Sequence, residues 1–129
     1  MLEEIIKELE EDLKINELNL KDYQLRLPAI KHKWSGRLIR LRMNVLSLKK
    51  QRDAAKNEIM SEINNTSPVK LTQPVISSTA DRHSRIQKLN TKIQEAELII
   101  ELLEKSEKTL SSATFDIKNL IEIMKLEMT

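Results

Sequence analysis

Three features of this 129-residue chain predict an all-helical fold. One Gly and three Pro are too few turn formers to separate a set of short strands. Aromatic residues make up only 2%, whereas sheets favour aromatic and β-branched side chains. Leu and Ile recur at three- and four-residue steps among Lys, Arg and Glu, which is the period of amphipathic helices. The expected architecture is an N-terminal helical lobe (1–63), a linker or hinge (64–79), and a C-terminal coiled-coil-like oligomerisation helix or helix pair (80–129).

The first helix runs from Leu2 to about Leu13. Leu2, Ile5, Ile6, Leu9 and Leu13 share one face, and Glu3, Glu4, Glu8, Glu10, Glu11 and Asp12 cover the rest. Asn16 is the expected cap of a second helix carrying Leu18, Leu20, Tyr23, Leu25 and Leu27. Pro28 lacks a backbone donor and is expected to end or kink that helix. Ser35 and Gly36 either open a third helix or lie in a chain that runs unbroken through Trp34. From Leu38 the pattern sharpens into a heptad seam of Leu38, Leu41, Val45, Leu48, Ala55 and Ile59, interrupted by Arg52.

Asn64 to Thr79 holds two prolines in a polar, β-branched mixture and reads as a linker, with room for a short extended segment from Val69 to Ile76. Ser78 to Asp81 resembles a capping box that opens the last helix. That helix keeps one register through Ile86, Leu89, Ile93, Ala96, Ile100, Leu103, Leu110, Ile117, Ile121, Met124 and Met128, broken at Glu107 and Thr114. Leu98, Ile99 and Leu102 widen its apolar face. So wide a face, in a chain with few aromatics for its own core, predicts a homo-oligomer. Ile86, Leu89, Ile93, Ile100, Leu103, Leu110, Ile117, Ile121 and Met124 are the residues expected to meet other copies. Folding of the same seam onto the Leu38 helix is the alternative.

Composition argues against several function classes. Zero Cys excludes disulfides, thiolate metal sites and a Cys nucleophile. No apolar run of about 18 residues is present, so no membrane span is expected. The acidic start, Met1-Leu2-Glu3-Glu4, is unlike a signal peptide, and a soluble cytoplasmic protein is expected. One Gly cannot build a phosphate-cradling loop. His32 and His83 lie far apart, without ligand-spaced companions, and read as solvated positions. Tyr23 and Phe115 read as packing residues. No catalytic, metal or cofactor site is expected, and the protein reads as a non-enzyme.

Charge carries more information. Residues 1–20 hold two basic and seven acidic groups, residues 21–60 eleven and three, and residues 61–129 nine and ten. No acid occurs between Asp22 and Asp53. That stretch holds Arg26, Lys31, Lys33, Arg37, Arg40, Arg42, Lys49, Lys50 and Arg52, and Lys56 lies just beyond it. Such a run is the electrostatic footprint of a polyanion-binding surface. An anionic membrane fits less well, because bulky apolar anchors are scarce beside it. Arg42, Lys49 and Lys56 form one row beside the seam, where pairing with acids of a neighbouring helix competes with an external polyanion. Trp34, amid Lys31, Lys33 and Arg37, is either a stacking platform for a single-strand base or a plug between helices.

Leu2-Glu3-Glu4, Glu8-Leu9, Asp12 and Lys33-Trp34 fall in a gapless colinear order, and the chain closes on Phe115-Asp116-Ile117-Lys118-Asn119-Leu120-Ile121 and Met124-Lys125-Leu126-Glu127. These elements resemble the UvsY family, the recombination mediators of T-even-like phages. The resemblance spans nearly the full length and is poorest from Asn64 to Thr79. It implies a non-enzymatic protein that binds single-stranded DNA and forms a ring-like homo-oligomer of six or seven subunits through its C-terminal region. It implies as partners a RecA-like phage recombinase and the phage single-strand-binding protein, in the cytoplasm of the infected host. The family's Lys-x-Arg element, with an aromatic pair and Gly behind it, would fall near Asn57 to Asn65. Only Lys56 lies near that place; the Arg, aromatics and Gly are missing. The departure moves the implied DNA contact upstream to Lys49, Lys50 and Arg52. The reading from another class is a coiled-coil adaptor or assembly chaperone that binds no DNA.

Overall fold

The structure is a computed structural model that describes residues 1–15 and 19–128. Four helices succeed one another: α1 (Leu2–Leu13), α2 (Leu20–Thr66), α3 (Gln73–Asp81) and α4 (Ser84–Glu127). No strand occurs among the described residues. α1 has the predicted bounds. The expected cap Asn16 and the apolar Leu18 lie outside the described residues.

α2 is a single helix of 47 residues, and Pro28 neither ends it nor divides it at Ser35. Proline inside a helix costs about 3 kcal/mol. Leu27, Ile30, Trp34 and Leu38 are all buried on either side of it. Each such burial contributes about 1.5–3 kcal/mol, so continuing the helix outweighs the lost bond. The carbonyl that Pro28 leaves unserved belongs to Gln24, an exposed residue that water reaches. Gly36 keeps a helical backbone, since no Gly has positive φ.

The expected linker is largely helical. α2 extends to Thr66, the non-helical chain narrows to 67–72, and α3 begins at Gln73. No extended segment forms from Val69 to Ile76. Pro74 is instead the second residue of α3, where the helix requires no N–H donor. Ile76 and Ala80 give α3 its buried side. Ser78 to Asp81 therefore closes α3 rather than opening α4. The opening of α4 falls to His83, whose Nδ1 accepts the Arg85 backbone N–H at 3.1 Å. A capping imidazole replaces the expected merely solvated one.

The chain forms two compact units. The first comprises Met1–Ile39 and Ile99–Thr129, and the second Arg40–Leu98. The second is one consecutive stretch and the first joins two, and each contains part of α2 and part of α4. In the first unit, α1 buries Leu9, and Tyr23, Leu27, Ile30, Trp34, Leu38, Ile99, Leu103, Leu110, Ala113 and Ile117 are buried with it. In the second, Ala55, Ile59, Ala80 and Ile86 form one core cluster, with Met60, Ile63 and Leu89 packed against it.

The apolar seams are thus used inside the chain. Of the residues expected to hold an oligomer, Ile86, Ile93, Leu103, Leu110 and Ile117 are buried in their own unit, and Leu89, Ile100, Ile121 and Met124 are half-buried. The buried members are covered by the chain itself, and the half-buried ones keep part of their surface exposed. Two of the polar breaks in the seams, Arg52 and Glu107, are matched. Arg52 donates from Nη1 to Asn90 Oδ1 at 3.2 Å in the second unit. Ser35 Oγ donates to Glu107 Oε1 at 2.9 Å in the first. Paired polar groups in an apolar seam select one register over its neighbours.

Candidate nucleic-acid interface

The basic run of α2 divides according to what each side chain meets. In the first unit the acidic α1 supplies the partners. Arg37 holds Glu8 through both terminal nitrogens, at 2.6 and 3.0 Å. Lys33 reaches Glu8 at 2.8 Å and Asp12 at 2.7 Å. The hydrogen bonds from Arg37, then those from Lys33, hold the Glu8 carboxyl down at about 2. Burial works against the Lys33 ammonium, but its bonds to Asp12 and Glu8 prevail and push its pKa upward.

Trp34 is part of this clasp. Its side chain is 1% exposed, and its indole N–H donates to Asp12 Oδ2 at 2.8 Å. Lys33 Nζ and Arg37 Cζ lie 5.0 and 4.7 Å from its ring centroid. The aromatic-among-cations pattern here is an internal cation–π cluster. Its ring is not presented for base stacking, which corrects the assignment of Trp34 to the DNA-binding set.

In the second unit the predicted row beside the seam is also occupied. Lys49 pairs with Glu97 at 3.3 Å, and Lys56 with Asp81 at 3.0 Å. Arg52 reaches Asp53 at 3.5 Å besides Asn90. These pairs sit at the protein surface, where each is worth about 1 kcal/mol or less. Arg40 and Arg42 are exposed and engaged in interactions of their own. Lys31 and Lys50 form no ion pair with a described residue.

Lys31 leads to a feature that the sequence did not reveal. In the first unit it stands on the rim of two open grooves between the early turns of α2 and the later turns of α4. One, of about 610 Å³, has Leu27, Ile117 and Ile121 in its lining and gathers Lys31, Lys118 and Lys125 against Glu122. The other, of about 810 Å³, adds Lys108, Ser111 and Ser112 to Lys31, opposed by Glu104 and Glu107. Lys118 and Lys125 are seven residues apart, two helical turns, so they share a face. Their segment is nearly neutral overall, and a tally by segment hides them.

Both grooves thus set lysines of α2 and α4 beside carboxylates of α4. The profile of a family described as recombination, repair and ssDNA binding protein UvsY matches residues 8–128. The chain belongs to the UvsY family. The fold agrees with crystal structures of the bacteriophage T4 recombination mediator protein UvsY. In lattice type IV the TM-score is 0.83 at 16% identity, covering 98% of both chains. In lattice type II it is 0.81 at 15%, covering 100% of this chain and 98% of that one. In lattice type I it is 0.83 at 15%, covering 96% and 98%. At such identity the likeness establishes the fold. No match is found among curated protein sequences. Among the described residues no helix is long and apolar enough to cross a membrane.

Proposed function

We propose that this UvsY-family protein is a phage recombination mediator, a non-enzymatic homo-oligomer that binds single-stranded DNA. In this reading it promotes loading of a RecA-like recombinase onto DNA coated by single-strand-binding protein, in the cytoplasm of the infected host. The family match over residues 8–128 carries the reading. The exposed and weakly paired cations of α2 supply the chemistry. Phosphates displace counterions from Lys and Arg, and that release drives sequence-independent affinity. Lys31 and Lys50 offer their ammonium groups directly. Lys49, Arg52 and Lys56 exchange a surface carboxylate or amide for a phosphate at little cost. Arg40 and Arg42 extend the same run. Lys33 and Arg37 join only if α1 yields them.

In this reading assembly draws on apolar surface that α4 leaves exposed. Phe115, Ile123 and Leu126 are 64%, 50% and 75% exposed near the end of α4. Their spacing of eight and three residues puts them on one side of the helix. A ring of six or seven copies joined there would present the basic helix repeatedly, and modest contacts would sum through avidity.

The test is fluorescence anisotropy of a labelled single-stranded oligonucleotide at several salt concentrations, beside a duplex of equal length. Binding that prefers the single strand and falls by about 0.7 log units per phosphate for each log unit of salt is the expected result. No binding at low salt would overturn it. The internal ion pairs of Lys33, Arg37, Lys49 and Lys56 would then favour the adaptor reading.

A further inference from the structure

The opening turns of α4 break a local rule. A helix N-terminus carries partial positive charge and favours acids, and cations there are unfavourable by about 0.3–1 kcal/mol. The first turn of α4 has no acid. The chain instead places Arg85 in that first turn, and Lys88 and Lys92 follow in the second and third turns, with no carboxylate between Asp81 and Glu95. Departures from local preference without a packing gain are expected at functional sites. Packing does not explain these residues: Arg85, Lys88 and Lys92 are all exposed.

The second unit gives this charge a shape. Arg85, Lys88 and Lys92 line one open groove of about 410 Å³, whose other lining residues include Ala54, Ala55 and Leu89. Glu58 is the one acid in that lining, and it is already engaged by Arg85 at 3.4 Å. Lys88 and Lys92 have no ion-pair partner among the described residues. Positions 85, 88 and 92 fall on one side of a helix and stretch about 10 Å along its axis. The small side chains of Ala54 and Ala55 keep the floor low and apolar, with room for sugar or base beside the phosphates.

We infer that the Arg85–Lys88–Lys92 groove is a second contact site for the backbone of single-stranded nucleic acid, separate from the α2 cations. The inference rests on the DNA-binding reading above and adds a site to it. A row of cations with a single, already paired acid suits a continuous polyanion, whose successive phosphates meet successive turns of α4. A strand held there and on α2 is bound at two places in each protomer, which raises affinity through effective concentration.

The experiment compares the wild type, Lys88→Ala/Lys92→Ala, Lys49→Ala/Lys50→Ala, and Lys70→Ala as a control in the 67–72 connection. Each is titrated into a labelled single-stranded oligonucleotide at several salt concentrations, with circular dichroism to confirm the fold. Two lost phosphate contacts lower the slope of log affinity against log salt by about 1.4. We expect that drop for Lys88→Ala/Lys92→Ala, at least a tenfold loss of affinity at low salt, and no change of slope for Lys70→Ala. A wild-type slope in Lys88→Ala/Lys92→Ala, with weakened binding in Lys49→Ala/Lys50→Ala, overturns the second site and leaves the DNA-binding reading standing. Absence of binding by the wild type removes both. A second readout uses unaltered protein: bound oligonucleotide should protect Lys88 and Lys92 from acetylation, and equal labelling with and without it refutes the site.

Discussion

Asp12 is the residue whose removal tests the clasp between α1 and α2 most directly. One of its oxygens accepts both the Trp34 indole N–H at 2.8 Å and the Lys33 ammonium at 2.7 Å. Asp12→Ala leaves the indole donor buried without an acceptor, which costs about 1–3 kcal/mol. Lys33 is partly exposed and keeps Glu8 as a partner, so loss of its bond to the buried Asp12 adds only about 0.5–1 kcal/mol. The sum is about 1.5–4 kcal/mol, or a fall of roughly 10 °C in Tm for a domain of this size. Trp34 is the only Trp in the chain, so its fluorescence reports the site without a label. Wild-type emission should be blue-shifted, and Asp12→Ala should shift it to the red and lower the urea midpoint. Asp12→Asn keeps an acceptor for the indole and loses the charge facing Lys33. It should cost about 1 kcal/mol, the smaller part of the effect. Asp12→Ala with a Tm within about 2 °C of wild type and unchanged emission would refute the clasp, since such losses exceed a surface substitution's usual effect.

Three further outcomes are expected. The lowered pKa of Glu8 contributes stability that is complete above its ordinary value of 4.5 and is lost as pH falls toward about 2. Urea melts of wild type and Glu8→Gln should therefore converge across that interval; a constant gap down to pH 2 would show that Glu8 is not held as described. Leu103 is 1% exposed, so Leu103→Asp should unfold the protein, whereas Phe115→Asp should keep its helicity and lower its mass in sedimentation. A folded, dissociated Leu103→Asp would return that seam to the oligomer interface. Saturation with single-stranded DNA should leave Trp34 emission within a few per cent of its free intensity, because the ring is buried; strong quenching would show that α1 opens and the ring stacks on a base.

The clasp also explains why the candidate site is only partly legible in the sequence. Lys31, Lys33, Trp34 and Arg37 present the same local pattern whether the aromatic waits for a base or sits in a core. Glu8 and Asp12, far back in the chain, decide between them, and no local window contains both halves. Lys49 and Lys56 are similar: their row beside the seam is visible, but Glu97 and Asp81 have to be brought across by folding. The α4 cations escape notice for another reason. Lys88, Lys92, Lys118 and Lys125 lie in a segment with almost balanced charge, and only helical spacing gathers them by face. The acid-free interval from 82 to 94 is the signal that could have found the first pair.

By itself the sequence determined the helical class, the bounds of α1, the apolar seams and their polar breaks, and the separation of an acidic start from a basic run. Those arise from side-chain period and local propensity, which need no knowledge of neighbours. Tertiary structure decided what each face meets. Hydrophobic burial is non-directional, so a heptad seam specifies a covered side without naming what covers it. The chain covered much of its own seams, and Ile86, Ile93, Leu103, Leu110 and Ile117 are buried within it. It ran α2 through Pro28 because the apolar contacts on both sides outweigh one backbone bond. It matched Arg52 to Asn90 and Ser35 to Glu107, partners that only the folded register could bring within hydrogen-bond reach.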